Sequence, residues 1–114
     1  MKFEKFEDII AWQKSKDLSR EIYQLFRNNK DFGFRDQIQR ASVSIMNNIA
    51  EGFERKGNKE FVKFLYISKV SCAEVRSMVY LALELKYISV NSCDTLLFST
   101  MEISRILSGL IKTL

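Results

Sequence analysis

The sequence has no histidine and no proline, and it has only four glycines among its 114 residues. The absence of histidine removes the commonest general base, the Ser-His-Asp triad and histidine metal sites. Average proline usage of about 5% would give roughly six prolines in a chain of this length. Because tight turns depend on proline and glycine, we expect no sandwich or barrel of many short strands.

Long apolar runs are also absent. The longest run ends at Leu83 and is far shorter than the about 20 residues that a membrane-spanning helix needs. The first ten residues, MKFEKFEDII, contain acidic side chains and no apolar stretch of the kind found in signal peptides. We therefore expect a cytoplasmic protein that has no membrane partner.

What the chain does contain is enough apolar material for a core, at 46% of its residues, and a net charge of +4. Its length corresponds to one domain over residues 1–114. Apolar residues recur at steps of three and four between polar turn signals, with no sustained alternation. This spacing predicts four helices, near residues 8–28, 35–55, 59–87 and 91–113. Short connections favour antiparallel neighbours, so we predict an all-α, up-down-up-down four-helix bundle.

The predicted helices carry more apolar surface than one bundle core uses. In the fourth helix the spacing assigns the core face to Leu97, Met101, Ser104, Leu107 and Ile111. Further apolar side chains then project elsewhere, among them Val62, Val70, Tyr80, Leu81 and Leu96. A helix that is apolar nearly all round is covered on both sides, so we expect a homo-oligomer. The alternative is that these are scattered surface residues, which are common.

A polar stripe follows one face of the second predicted helix. Its members are spaced by three and four residues, and they are Gln37, Arg40, Ser44, Asn48, Glu51 and Arg55. Such a stripe is either a solvated face with weak intrahelical pairs or a polar subunit interface in which arginine contacts fix the register. The spacing alone leaves both interpretations open.

The same helix carries a recognisable motif. The run from Asp36 to Ile45, followed by Asn-Ile-Ala-Glu-Gly at 48–52, resembles the family of 23S rRNA intervening-sequence proteins. The resemblance continues through 59–69 and 74–76 and spans nearly the whole chain. Three positions depart from the family pattern, where Met46 replaces a usual proline and Val70 and Lys86 replace common glycines.

This resemblance implies an antiparallel four-helix bundle that assembles into a five-fold ring, and hence a homopentamer. Members are encoded within insertions in large-subunit rRNA genes or elsewhere in bacterial genomes. Similar proteins act as accessory factors of a retroelement reverse transcriptase and bind both the enzyme and nucleic acid. The motif positions that the resemblance marks as a possible interface are Gln37, Arg40, Asn48, Glu51 and Gly52.

A basic stripe marks the start and the outward arc of the third predicted helix. It comprises the candidate nucleic-acid-binding residues Arg55, Lys56, Lys59, Lys63, Tyr66, Lys69 and Arg76. The cations attract phosphates by charge, and the tyrosine ring offers a stacking surface for an unpaired base. The plainer interpretation is a solvated helix face, because Glu60, Glu74 and Glu84 dilute the charge.

No motif for catalysis is present, and we expect neither a cofactor nor a metal. The carboxylate pairs Asp17/Glu21 and Glu51/Glu54 lack a third ligand, and no glycine-rich phosphate loop occurs. Cys72 falls on the predicted core stripe and is expected to be buried and inert. The sequence thus favours a non-enzymatic oligomeric module that binds RNA or DNA. The alternative is a scaffold that docks a partner protein such as a reverse transcriptase.

Overall fold

A computed structural model describes residues 3–114 of the chain, so the first two residues of the N-terminal stretch lie outside it. A short 3₁₀ turn, Phe6–Asp8, precedes four helices: α1 (Ile10–Phe26), α2 (Phe32–Glu54), α3 (Asn58–Glu84) and α4 (Val90–Lys112). The described residues contain no strand, and the predicted all-α, four-helix fold is confirmed. No helix within residues 3–114 is both long and apolar enough to span a bilayer.

Polar side chains and one glycine set the starts of three helices. The Asp31 carboxylate accepts a hydrogen bond from the backbone N–H of Phe34 at the start of α2, and the Ser89 hydroxyl does the same for Ser92 at the start of α4. Such caps satisfy N–H groups that have no partner inside the helix. Gly57 precedes α3 with φ of +83°, a conformation that glycine adopts without a steric penalty.

Lys86 ends α3 in a left-handed conformation, with φ of +61°. The backbone N–H of Tyr87 donates to the carbonyl of Ala82 at 2.8 Å, and that of Lys86 donates to the carbonyl of Leu83 at 3.0 Å. This pair of bonds is the Schellman motif, in which glycine is the usual left-handed residue. The position at which the family has a common glycine is therefore one where the backbone favours glycine.

Contacts between the helices define an antiparallel bundle in the order α1, α2, α3, α4. Along the α2–α3 seam, Gln37 pairs with Glu74 and Ser44 pairs with Ser71, so the residue numbers rise on one helix as they fall on the other. Lys69 of α3 donates to Ser108 of α4, and Lys14 of α1 forms an ion pair with Glu102 of α4 at 3.3 Å, which closes the ring of helices.

The core lies along the bundle axis and agrees with the predicted stripes of the first three helices. Ile22, Ile45 and Val75 are each fully buried. The predicted stripe of α4 was confirmed at Leu107, but at Leu97, Met101 and Ser104 it was wrong by one residue. Its buried residues are Cys93, Leu96, Thr100, Ile103 and Leu107.

Helix α4 is apolar over a wide arc, so periodicity did not distinguish two adjacent phases. Leu96, expected outside the core, is fully buried, and Met101, expected inside it, is 45% exposed. Leu97, Ser104 and Ile111 lie at the edge and are half-buried. Val62, expected on the outer face of α3, is also half-buried.

Candidate nucleic-acid interface

Helices α2 and α3 approach each other closely because small residues meet at their seam. A Cβ atom added to Gly52 would lie 2.5 Å from the Cβ of Phe64, a distance that real Cβ atoms do not show. Ser68 fits against α2 in the same way, and its buried hydroxyl donates to the backbone carbonyl of Ile45 at 2.9 Å. The glycine of the Asn-Ile-Ala-Glu-Gly motif therefore serves this close packing inside one chain.

The polar stripe of α2 divides into a packed part and an exposed part. Gln37 donates to Glu74 at 3.1 Å, and the Ser44 and Ser71 hydroxyls share a hydrogen bond of 2.9 Å. Asn48 donates to the backbone carbonyl and to the hydroxyl of Ser44, at 2.8 and 3.0 Å. Gln37 and Ser44 thus hold α2 to α3, and Asn48 bonds to Ser44 within α2. Spacing alone did not distinguish these roles from solvation or a subunit contact.

The other half of the stripe is exposed. Arg40 and Glu51 line an open depression of about 360 Å³ together with Tyr23, Asn47 and neighbouring α2 residues. Neither residue forms an ion pair within residues 3–114. This part of the stripe is accessible to a partner, so a role at an interface stays a prediction for Arg40 and Glu51.

Three of the predicted basic residues cluster at the turn between α2 and α3. Arg55 caps α2, and its guanidinium lies over the ring of Phe64, 5.0 Å from the ring centre. Lys56 and Lys59 follow it, and all three are exposed. Among the residues that the structure describes, none of the three has an ion-pair partner. Their charges remain available to an anion.

Lys63 and Tyr66 continue this cluster along α3. Lys63 lies one turn after Lys59 and pairs with Glu60 at 3.5 Å, so one acid of the stripe partly offsets its charge. Tyr66 is 54% exposed, and its ring is accessible for stacking. We call Arg55, Lys56, Lys59, Lys63 and Tyr66 the basic end.

Lys69 and Arg76 do not belong to the same surface as the basic end. Both line a small cleft between α3 and α4, where Lys69 is half-buried. Glu74 lies on the opposite side of α3 and is bound by Gln37 of α2. The predicted basic stripe is therefore divided between two faces of α3. The basic end is open to solvent, and Lys69 and Arg76 line the cleft beside α4.

Exposed apolar side chains concentrate on the outer surface of α3. Val70 is 69% exposed, and about three turns further along α3 Tyr80 is 57% exposed and its neighbour Leu81 is 47% exposed. Phe98 on α4 is 66% exposed, and the sequence analysis did not single it out. With the correct phase, Phe98 lies opposite the core, and this signal would have identified it.

The structure also locates the residues considered for metal binding and catalysis. Residues 3–114 contain no group of three or more Cys, Asp or Glu side chains placed to hold a metal ion. Cys72 and Cys93 are free and buried. Burial raises the pKa of Cys72 to about 12, against the opposing effect of the charges on Lys69 and Arg76. The Cys72 thiol is therefore protonated and a poor nucleophile at neutral pH.

With this geometry in place, comparison with known proteins assigns the chain to a family. Residues 7–109 match the profile of the family described as 23S rRNA-intervening sequence protein. The chain belongs to this family. The assignment covers all four helices up to Gly109 and confirms the family indicated by the motif at 48–52.

A solved structure supports the same fold. The chain is similar to a protein with unknown function from the S23 ribosomal protein family of Bacteroides thetaiotaomicron VPI-5482, whose crystal structure was determined at 1.70 Å resolution. The two are 25% identical with a TM-score of 0.84, over 90% of this chain and 96% of that chain. No curated protein matches the chain.

Proposed function

We propose that this 23S rRNA-intervening sequence protein is a non-enzymatic, cytoplasmic, oligomeric module that binds RNA or DNA. The observation that carries the proposal is the basic end, where Arg55, Lys56 and Lys59 surround one short turn without ion-pair partners in residues 3–114. Phosphates bind such clusters by charge and release counterions. Tyr66, one to two turns further along α3, adds a ring for stacking on an unpaired base.

Self-association would strengthen this binding. The exposed side chains of Val70, Tyr80 and Leu81 form an apolar surface that a lone bundle leaves in water. The family resemblance suggests a ring of five chains, in which a net charge of +4 per chain sums to +20. An electrostatic field of that size attracts polyanions over a distance set by the Debye length, which shortens as the salt concentration rises.

A mobility-shift titration over a range of salt concentrations tests the nucleic-acid part of the proposal. Binding to single-stranded RNA should weaken steeply, with a log-log slope of about 0.7 for each phosphate contact. Lys56→Glu, Lys59→Glu and Lys63→Glu together should abolish it. This triple variant takes the net charge from +4 to −2, so a control with the same total charge is needed.

The matched control is Arg27→Glu, Lys30→Glu and Lys86→Glu. These residues are exposed and lie at the opposite end of the bundle. The control should keep most of the affinity if the basic end is the binding surface. Equal loss in both variants would show that only total charge matters, and unchanged binding in the first would exclude the basic end. Circular dichroism melts establish that both variants fold.

Light scattering tests the oligomer. We expect a mass well above the 13.4 kDa of one chain at micromolar concentration. Val70→Glu with Tyr80→Glu should reduce it to one chain, since charges would then line the apolar surface. A wild-type mass of one chain would contradict the homo-oligomer.

A protein-binding scaffold is the second candidate function, and the exposed apolar side chains favour it specifically. Phe98 is 66% exposed on α4, away from the basic end. A scaffold that docks an enzyme such as a reverse transcriptase should leave nucleic acid unshifted by itself. The mobility shift described above therefore separates the two functions.

A further inference from the structure

Helices α3 and α4 leave a small cleft of about 40 Å³ between them. Its walls are formed by Lys69, Cys72, Ala73, Arg76, Thr100 and Ser104. One water needs roughly 10–15 Å³ measured in this way, so the cleft has room for about three water-sized groups. The two non-bridging oxygens of a backbone phosphate, or two to three of the oxygens of a free phosphate ion, fit that volume.

The charged side chains that line the cleft are all positive. Two cations line it, and no carboxylate does. The nearest acid on α3, Glu74, lies toward α2 and is bound by Gln37, while Glu102 of α4 lies toward α1 and pairs with Lys14. Neither Lys69 nor Arg76 has an ion-pair partner among residues 3–114. The cleft therefore concentrates positive charge that the chain itself does not neutralise.

The floor of the cleft makes that charge more effective. Cys72 and Thr100 are buried, at 2% and 1% exposure, and the Thr100 hydroxyl is already used by the Leu97 carbonyl of its own helix. Lys69 and Arg76 line the same cleft as Cys72 and Thr100, so both charges lie beside this floor. Charges beside a low-polarity floor are screened less than charges in open water.

We propose that this cleft binds a single phosphate group between Arg76 and Lys69, a role that rests on the proposed nucleic-acid function. The planar guanidinium of Arg76 donates two parallel hydrogen bonds to phosphate oxygens. Lys69 now donates to the Ser108 hydroxyl and can exchange that neutral acceptor for an anionic one. Ser104 adds a half-buried hydroxyl at the wall. The phosphate belongs either to a nucleic-acid backbone or to a free phosphate ion.

The test is a titration of ¹⁵N-labelled full-length protein with inorganic phosphate, at constant ionic strength maintained with sodium chloride. We expect saturable shifts of the amide signals of Cys72, Ala73, Arg76 and Ser104. Arg76→Gln and Lys69→Gln should each weaken phosphate binding by about tenfold or more, the usual effect of losing one charge-assisted contact. Absence of saturation in the wild type, or phosphate affinity in both variants equal to that of the wild type, would overturn the proposal.

Arg105→Gln is the matched control, because Arg105 follows Ser104 on α4, is exposed, and does not line the cleft. It removes the same charge from α4, the other helix that borders the cleft, and should leave phosphate affinity within about twofold. Loss of affinity equal to that of Arg76→Gln would show that phosphate responds to net charge rather than to the cleft, and would overturn the proposal.

A second titration with a five-nucleotide single-stranded DNA identifies the source of the phosphate. If the same amide signals shift, and Arg76→Gln weakens the binding of both ligands, the cleft holds a backbone phosphate. If only inorganic phosphate shifts them, the cleft binds the free ion, and the proposed nucleic-acid function fails only when the oligonucleotide also leaves the amide signals of Lys56 and Lys59 unchanged. If the oligonucleotide binds at Lys56 and Lys59 while the cleft amides stay still in both titrations, the cleft proposal fails and the proposed function stands.

Discussion

The α2–α3 seam and the α1–α4 seam join neighbouring helices in opposite ways. At the first, Gly52, Ser44, Ser68 and Ser71 let the two backbones approach, and hydroxyls bond across the contact. At the second, Lys14 and Glu102 meet at 3.3 Å beside a groove of about 150 Å³. Both side chains of this pair are partly exposed, at 41% and 32%.

This difference shows where the family motif has its effect. A seam with atoms in direct contact has no space for an added methyl group, because protein interiors are close-packed. A seam bridged by long charged side chains adjusts by rotating them in water. The motif residues on α2 therefore specify the distance between α2 and α3, whereas the α1–α4 seam tolerates substitutions.

The largest expected effect is at Gly52. Gly52→Ala places a methyl group 2.5 Å from the Cβ of Phe64, so the helices must separate, and we expect a loss of about 1–3 kcal/mol of unfolding free energy in urea. The matched change Gly109→Ala meets no atom within 4 Å. It should instead stabilise α4 by up to about 1 kcal/mol. Equal effects of the two changes would contradict the close-contact seam.

Lys86 lies outside both seams, and substituting it measures the free-energy cost of a strained backbone for comparison with the seam variants. Its left-handed φ of +61° costs an ordinary residue roughly 1 kcal/mol relative to glycine. Lys86→Gly should therefore raise the unfolding free energy by about 1 kcal/mol, which is about 4 °C in melting temperature. A lower melting temperature would indicate that the lysine side chain outweighs the backbone term.

Ser68 tests the hydrogen bonding of the tight seam. Ser68→Ala removes the donor to the Ile45 carbonyl and should cost about 1 kcal/mol in chemical unfolding. Ser19→Ala on α1 is the control, since the buried Ser19 hydroxyl has no hydrogen-bond partner within residues 3–114. That change should be neutral or slightly stabilising. A cost at Ser19 as large as that at Ser68 would contradict this assignment.

The tolerant seam is tested by Lys14→Gln and Glu102→Gln. Because the ion pair is partly exposed, each change should cost less than about 1 kcal/mol, and the small effect should shrink further at high salt. The double variant gives the coupling energy. Coupling as large as the Gly52 effect would remove the contrast between the seams.

The smallest effect is expected at the exposed contact between the loops, and only in acid. The hydrogen bond from the Tyr87 hydroxyl, at 2.7 Å, and that from the Phe34 N–H lower the pKa of Asp31. A lowered pKa in the folded state stabilises the protein above the unfolded-state pKa, near 3.9, and this contribution is lost as the pH falls through the folded-state value. Asp31→Asn should therefore reduce the loss of unfolding free energy that acid causes below the unfolded-state pKa. The same acid dependence of unfolding free energy in Asp31→Asn and the wild type would contradict this role of the Asp31 hydrogen bonds.

Much of the fold follows from periodicity, and the failures have a specific cause. The core stripes of helices α1 to α3 are regularly spaced, and residues such as Ile22, Ile45 and Val75 were assigned to the core correctly. In α4, Leu96 and Leu97 are both apolar and adjacent, so two phases fit the pattern equally well. Only packing against α1 and α3 selects Leu96 for the core and leaves Phe98 outside.

The candidate site was predicted as one stripe, and the structure divides it. Lys63 and Lys69 both lie on α3, yet Lys63 pairs with Glu60 on the helix surface whereas Lys69 reaches Ser108 on α4. Spacing along one helix gives the angle of a side chain but not its neighbour, because the neighbour belongs to another segment of the chain.

The sequence by itself determined the helices, their antiparallel order, the first three core faces and the family, because these depend on local periodicity, loop length and a contiguous motif. The tertiary structure alone decided the phase of α4, the reason for Gly52, the division of the polar stripe and the cleft at Lys69 and Arg76. Each of these requires two distant segments to meet at atomic distance, and that contact is absent from the one-dimensional pattern.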